Sequence, residues 1–183
     1  MRDPAGGEYH DFVKVLRYPH PCLLREASRV ATVDEDVRGL AAEMLQTLYL
    51  SRGVGLAAPQ VGVSKRLIVI NLAAAPGQGQ EIVLANPDVV DAAEERTEDD
   101  EGCLSVPGIT RVVSRSERVV VRGLDLEGRP REIVAEGLLS RVLQHEIDHL
   151  DGILFISKIS PADKVAIKPK LREMRMKARE DKP

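Results

Sequence analysis

The chain predicts an α+β fold, with mostly antiparallel or mixed sheets packed around one central helix. Two observations carry this reading. Short β-branched runs bounded by turn residues fill the middle of the chain, and two stretches flanking them place apolar residues at three- and four-residue steps. A further, strongly charged segment closes the chain as a third helical element.

Taken in order, Val15-Leu16-Arg17-Tyr18-Pro19-His20-Pro21 is an extended leading segment, because each proline blocks helix and restricts the residue before it. A helix follows, with Thr32 or Asp34 as its cap and acids in its first turn. Val37, Leu40, Ala41, Met44, Leu45 and Leu48 form its buried stripe, and Arg52-Gly53 ends it, with the glycine suited to the left-handed position. Arg66 to Asn71 and Glu81 to Asn86 read as strands. Asp91 to Glu101 is so acidic that it reads as an exposed connection. Arg111 to Val121 and Arg129 to Ala135 read as strands around a turn at Leu124 to Gly128. The second long helix spans about Glu136 to Leu150 and ends at Gly152. Ile153 to Ile156 reads as a last short strand, and a charged helix begins at Pro161 and frays past Pro169.

At 183 residues, with 43% hydrophobic and 30% charged side chains, the chain suits one globular domain. No stretch is apolar enough to cross a bilayer, and Met1 to Gly7 has no apolar signal core, which points to the cytoplasm and away from membranes. The two cysteines, Cys22 and Cys103, fit a reducing compartment. Net charge is −3 but uneven: from Lys164 to Lys182 eight basic residues face three acidic ones, leaving that tail at +5 and the rest at −8. A basic tail on an acidic body suits an anionic partner such as nucleic acid, and equally a solvated helix end.

The chemistry is concentrated in His145-Glu146-Ile147-Asp148-His149. Two histidines four residues apart lie on one helix face and can ligate a single ion, with Glu146 beside it as proton carrier for a bound water. A hydrolytic site needs one more protein ligand and an open position. The pattern runs on to Phe155 where a metzincin needs histidine, so that class fails. Glu173 as third ligand lies in the basic tail, on no evident core helix. Cys103, in Glu101-Gly102-Cys103-Leu104-Ser105, is the stronger candidate. Cys22 reads as an inert cysteine. A closed site of Cys22, Cys103 and both histidines remains conceivable but leaves Glu146 without a role. Gly53-Val54-Gly55-Leu56-Ala57-Ala58-Pro59-Gln60, rich in small residues, lets backbone approach a ligand.

These three segments, in this order, resemble the three motifs of the peptide deformylase family, in its bacterial and organellar form. The resemblance runs from about Phe12 to Ser160. It implies a metal-dependent hydrolase that removes the formyl group from the initiator methionine of nascent polypeptides. Cys103, His145 and His149 would hold one divalent ion, usually ferrous iron in that family, with zinc, nickel or cobalt as substitutes. Glu146 would move protons, while the Leu104 N–H and the Gln60 amide would stabilise the oxyanion. Gly55 would crowd the formyl end, and Val54, Leu138 and Val142 would contribute to the methionine pocket.

Some members carry an arginine seven residues after the cysteine, where this chain has Thr110 with Arg111 next. Arg141 also differs from some members, and its charge is expected to point away from the pocket. The implied organisation is an extension at 1–11, a catalytic domain at 12–160 and a basic tail at 161–183, which in the family can dock on the ribosome. Two other classes stand beside this one: a metallo-endopeptidase sharing the helix pentad, and a non-catalytic metal-stabilised protein that binds ribosomes.

Overall fold

A computed structural model describes residues 14–180. The expected extension at Met1 to Asp11 and the tail end at Lys182 lie outside the described residues. Strands β1 (Gly55–Ala57), β2 (Leu67–Ile70), β3 (Ile82–Ala92), β6 (Arg118–Leu124) and β7 (Pro130–Glu136) form one sheet in the order β1-β2-β3-β6-β7. Every neighbouring pair is antiparallel, with Leu56 opposite Val69, Val69 opposite Val83 and Val121 opposite Ile133. Strands β4 (Arg96–Gly102) and β5 (Thr110–Ser116) make a separate two-stranded sheet. The α+β architecture expected from the sequence is the one found.

Two helices cover the two faces of the large sheet, which explains why β2 is apolar throughout rather than alternating. Helix α1 (Glu35–Leu50) lays Val37, Ala41, Met44 and Leu48 against Leu67, Val69 and Val83. Its cap is Asp34, whose Oδ1 accepts from the Val37 N–H at 3.0 Å. Helix α2 (Gly137–Leu150) packs Val142, Leu143, Ile147 and Leu150 on the opposite face, against Ile68, Ile70 and Leu84. Alternate residues of one strand thus feed two cores. A third cluster joins Tyr18, Leu23, Val106 and Phe155 to Ile167, Leu171 and Met174. It seats the C-terminal helices α3 (Pro161–Ala166) and α4 (Lys168–Glu180) on the body.

Several local expectations change. The acidic run is strand rather than connection: β3 reaches Ala92, and β4 pairs in full register with β5, Glu101 opposite Arg111. Backbone pairing overrides the poor strand propensity of acids, and charged residues are what an exposed strand carries. Arg111 to Val121 is two strands, broken at Glu117, where the chain leaves one sheet for the other. Leu154 and Phe155 are buried, but the segment forms a 3₁₀ turn (Phe155–Ser157) rather than a strand. A short apolar run does not distinguish the two by periodicity. The terminal helix breaks at Ile167, not past Pro169, because Pro169 sits in the first turn of α4, where no N–H is needed.

After α1 the left-handed residue is Arg52 (φ 53°), not Gly53. Gly53 is small for another reason: a Cβ there would meet Leu48 Cδ1 at 3.0 Å and Leu104 Cδ1 at 3.2 Å.

Candidate metal centre

Helix α2 presents His145 and His149 one turn apart, and the end of β4 delivers Cys103 to the same point. One ligand atom from each, the cysteine Sγ and a ring nitrogen of each histidine, lies within 4.8 Å of the other two. Cys103 Sγ is 3.2 Å from His149 Nε2. His145 Nδ1 meets Glu101 Oε2 at 2.9 Å, so Nε2 is the nitrogen left to ligate an ion once its proton has gone. Burial, together with the charges of His145 and Arg115, pushes the pKa of His149 well below its usual value, so this ring is neutral. Burial opposes a charge on His145, yet hydrogen bonds with Cys103 and Glu101 outweigh it and push its pKa up to about 10. The negative surroundings that retain a proton there are those a cation would satisfy. One sulfur and two imidazoles are a donor set for a borderline-soft divalent ion, so these residues fit the group. Cys22 is not part of this cluster; its N–H donates to His20 Nδ1 at 3.2 Å. Glu173 is exposed on α4 and paired with Lys170 and Lys177.

Glu146, 4% exposed, lies beside the cluster, with Oε2 buried and without a partner among the described residues. Burial pushes its pKa up to about 7, against the opposing charge of His145. A carboxyl poised near neutrality is suited to both taking and returning a proton. Gly55 makes room for it: a Cβ at Gly55 would run into Glu146 Oε1 and lie 2.9 Å from Val142 Cγ1.

Gln60 is held in one orientation. Its Oε1 accepts from the Ala57 N–H at 2.8 Å, so its Nε2 faces Ser105 Oγ at 3.2 Å and Cys103 Sγ at 3.5 Å. The Leu104 N–H donates to no group among the described residues. A cavity of about 570 Å³ opens onto these groups, lined among others by Val54, Gly55, Leu104, Leu138 and Val142. The structure therefore brings every expected site residue to one place, with His149 sealed behind the cavity wall.

Three residues supporting the site carried no role in the sequence reading. Glu101, 5% exposed, receives Arg115 through both oxygens (2.8 and 2.9 Å) and Arg141 Nη1 at 2.9 Å. Burial would raise its pKa, but the Arg115 and His145 hydrogen bonds hold it well below the usual carboxylate value. Arg115 also bonds Asp148, which Lys158 reaches at 2.7 Å. Arg141 corrects the expectation that its charge points away from the pocket: it is among the residues lining the cavity. It is 7% exposed and donates to Glu101, to the Val113 carbonyl and to the Thr97 carbonyl, each at 2.9 Å. Its position one turn before His145, on the same helix face, was the available signal.

The profile of the polypeptide deformylase family matches residues 12–165. A peptide deformylase of Thermodesulfovibrio yellowstonii is 46% identical over 87% of this chain and 96% of its own. One from Alkalilimnicola ehrlichii is 48% identical, over 87% and 89%. Among solved structures, a plant peptide deformylase superposes with a TM-score of 0.90 at 36% identity, over 95% of both chains. That of Legionella pneumophila gives 0.82 at 44%, over 93% and 98%. Neither the endopeptidase nor the non-catalytic reading is favoured by these likenesses. The chain belongs to the polypeptide deformylase family, metal-dependent enzymes that remove the N-formyl group from nascent peptides.

Proposed function

We propose that deformylation in this chain runs on Glu146, Gln60 and Leu104, beside an ion held by Cys103, His145 and His149. The observation that carries the assignment is the buried, unpartnered Glu146 oxygen next to the three ligand atoms. When bound, the ion supplies a Lewis acid that polarises the formyl carbonyl and acidifies a water. Glu146 takes the proton of the attacking water and returns it to the departing amine nitrogen. The Gln60 amide and the Leu104 N–H donate to the formyl oxygen as it gains charge, an effect worth roughly 3 kcal/mol per donor. Gly55 lies in an edge strand of the large sheet, which suits a peptide laid alongside as an added strand. Val54, Leu138 and Val142 receive the methionine side chain.

Formate release from formyl-Met-Ala tests this. Glu146→Ala is expected to lose about 10²- to 10⁴-fold in kcat while keeping its ion. Turnover equal to the parent enzyme would overturn the assignment.

The same reading extends to ion, place and partner. Ferrous iron is the working ion, with zinc, nickel or cobalt able to replace it, so anaerobic preparations turn over faster than air-exposed ones. Equal activity under air would count against iron. No helix among the described residues is long and apolar enough to cross a membrane, in keeping with work in the cytoplasm. Residues 12–160 act as the catalytic unit after the extension at 1–11, and the basic segment 161–183 docks on the ribosome. Glutamines at the exposed Lys168, Lys170 and Arg172 should weaken co-sedimentation with ribosomes; unchanged binding would end that idea. Arg175 is left in place there, because it donates to the Tyr18 hydroxyl and anchors α4.

A further inference from the structure

The cavity is built from two kinds of surface. Its floor is buried, and the charges there are matched: Glu101, which lines it, pairs with Arg141 of the same lining and with Arg115 behind it. Its mouth is exposed, and among the described residues its charges are not matched. Arg17 and Arg52 line it, with Asp100 as the acid among the exposed lining residues. A second cavity of about 270 Å³ adjoins the first, sharing Arg17 and Leu104 and adding Lys14 and Leu50. Among the described residues Lys14, Arg17 and Arg52 have no carboxylate partner. Other cations nearby do: Arg111 pairs with Asp163 at 2.9 Å, and Lys170 and Lys177 with Glu173. Arg17 is close enough to Lys177 for its charge to oppose the proton there.

The backbone adds a second observation. Arg52 holds a left-handed conformation (φ 53°) that glycine adopts with less strain, while its neighbour Gly53 is small to fit Leu48 and Leu104. A strained arginine at a cavity mouth directs attention to its side chain.

We propose that Arg17 and Arg52, with Lys14 in the adjoining groove, select among nascent chains by the charge of the residues that follow formyl-methionine, favouring aspartate and glutamate. The inference rests on the reading above, in which the formyl end sits at Glu146 and the methionine against Leu138 and Val142. Later residues then leave through the mouth, past these cations. A formylated terminus is neutral, so the charge of the following side chains dominates this encounter. A cleft with cations at its rim and low-dielectric walls concentrates anionic segments and repels cationic ones.

The test compares kcat/KM for amidated formyl-Met-Ala-Glu, formyl-Met-Ala-Gln and formyl-Met-Ala-Lys. At about 0.01 M salt the glutamate peptide is expected to exceed the lysine peptide roughly fivefold, mainly through KM, and the gap should close at about 0.5 M. In the double variant R17Q/R52G the glutamate-to-lysine ratio should fall towards unity. Because each ratio is taken within one enzyme, a general loss of activity cancels, and the salt series needs no variant. A lysine peptide processed as well as the glutamate peptide, or a gap that survives salt or the double variant, would overturn the proposal. Failure to release formate from any of the three would overturn the reading it rests on.

Discussion

Glu101 Oε2 meets His145 Nδ1 at 2.9 Å, and through this contact a residue of β4 sets the orientation of a ring on α2. Both guanidinium partners of Glu101 come from other elements, so the carboxylate is locked before it touches the histidine. Removing such a partner of a ligating histidine typically costs 10- to 100-fold in ion affinity. Glu101→Ala is expected to weaken binding by about that factor, measured by competition with a chelator. An unchanged dissociation constant would show that the ring holds its place unaided.

Glu101 also makes stability depend on acid. Its folded pKa is lowered from the ordinary 4.5, so the charged form is favoured by folding. That contribution is complete above the unfolded value and is lost as pH falls through it towards the folded one. Protonation would also leave Arg115 and Arg141 buried opposite a neutral group. The ion-free enzyme should therefore lose stability steeply below about pH 4.5, read as denaturation midpoints from pH 6 downwards. Glu101→Gln should be less stable at pH 6 and flatter across the acid range; an equally steep decline in that variant would place the acid sensitivity elsewhere.

What was legible in the sequence follows from which signals are local. His145, Glu146 and His149 declare themselves because one helical turn fixes their geometry, and Cys103 because Glu101 to Ser105 resembles a recognisable motif. The stripe on α1 and the apolar β2 are local for the same reason. The place of Arg141 at the pocket was not legible, because it depends on Glu101, 40 residues earlier and on another element. Without the acid that neutralises it, nothing local turns such an arginine towards a pocket. The acidic β4 was missed similarly: its strand character comes from the β5 backbone, which no side-chain pattern reports. At the end of α1 the residue type alone suggests a left-handed glycine, whereas packing against Leu48 and Leu104 is what crowds a side chain at Gly53.

Neighbouring glycines should therefore respond differently to alanine. At Gly53 the new methyl would meet the Cδ1 atoms of Leu48 and Leu104, which are ends of flexible side chains able to move aside. At Gly55 it would collide with Glu146 Oε1 and press on Val142 Cγ1 at 2.9 Å. Val142 is held in the core cluster beneath α2, so the carboxylate is what must shift. Overpacking of this kind costs about 1–3 kcal/mol of stability. The larger effect should be on turnover, since misplacing a catalytic group by about 1 Å can cost on the order of 10²-fold. Gly55→Ala should keep its ion and its fold yet lose at least about tenfold in kcat on formyl-Met-Ala, with Gly53→Ala close to the parent enzyme. Thermal unfolding and ion content of the same samples separate misfolding from misplacement. Equal turnover in the two variants would mean that Glu146 has more freedom than its burial implies.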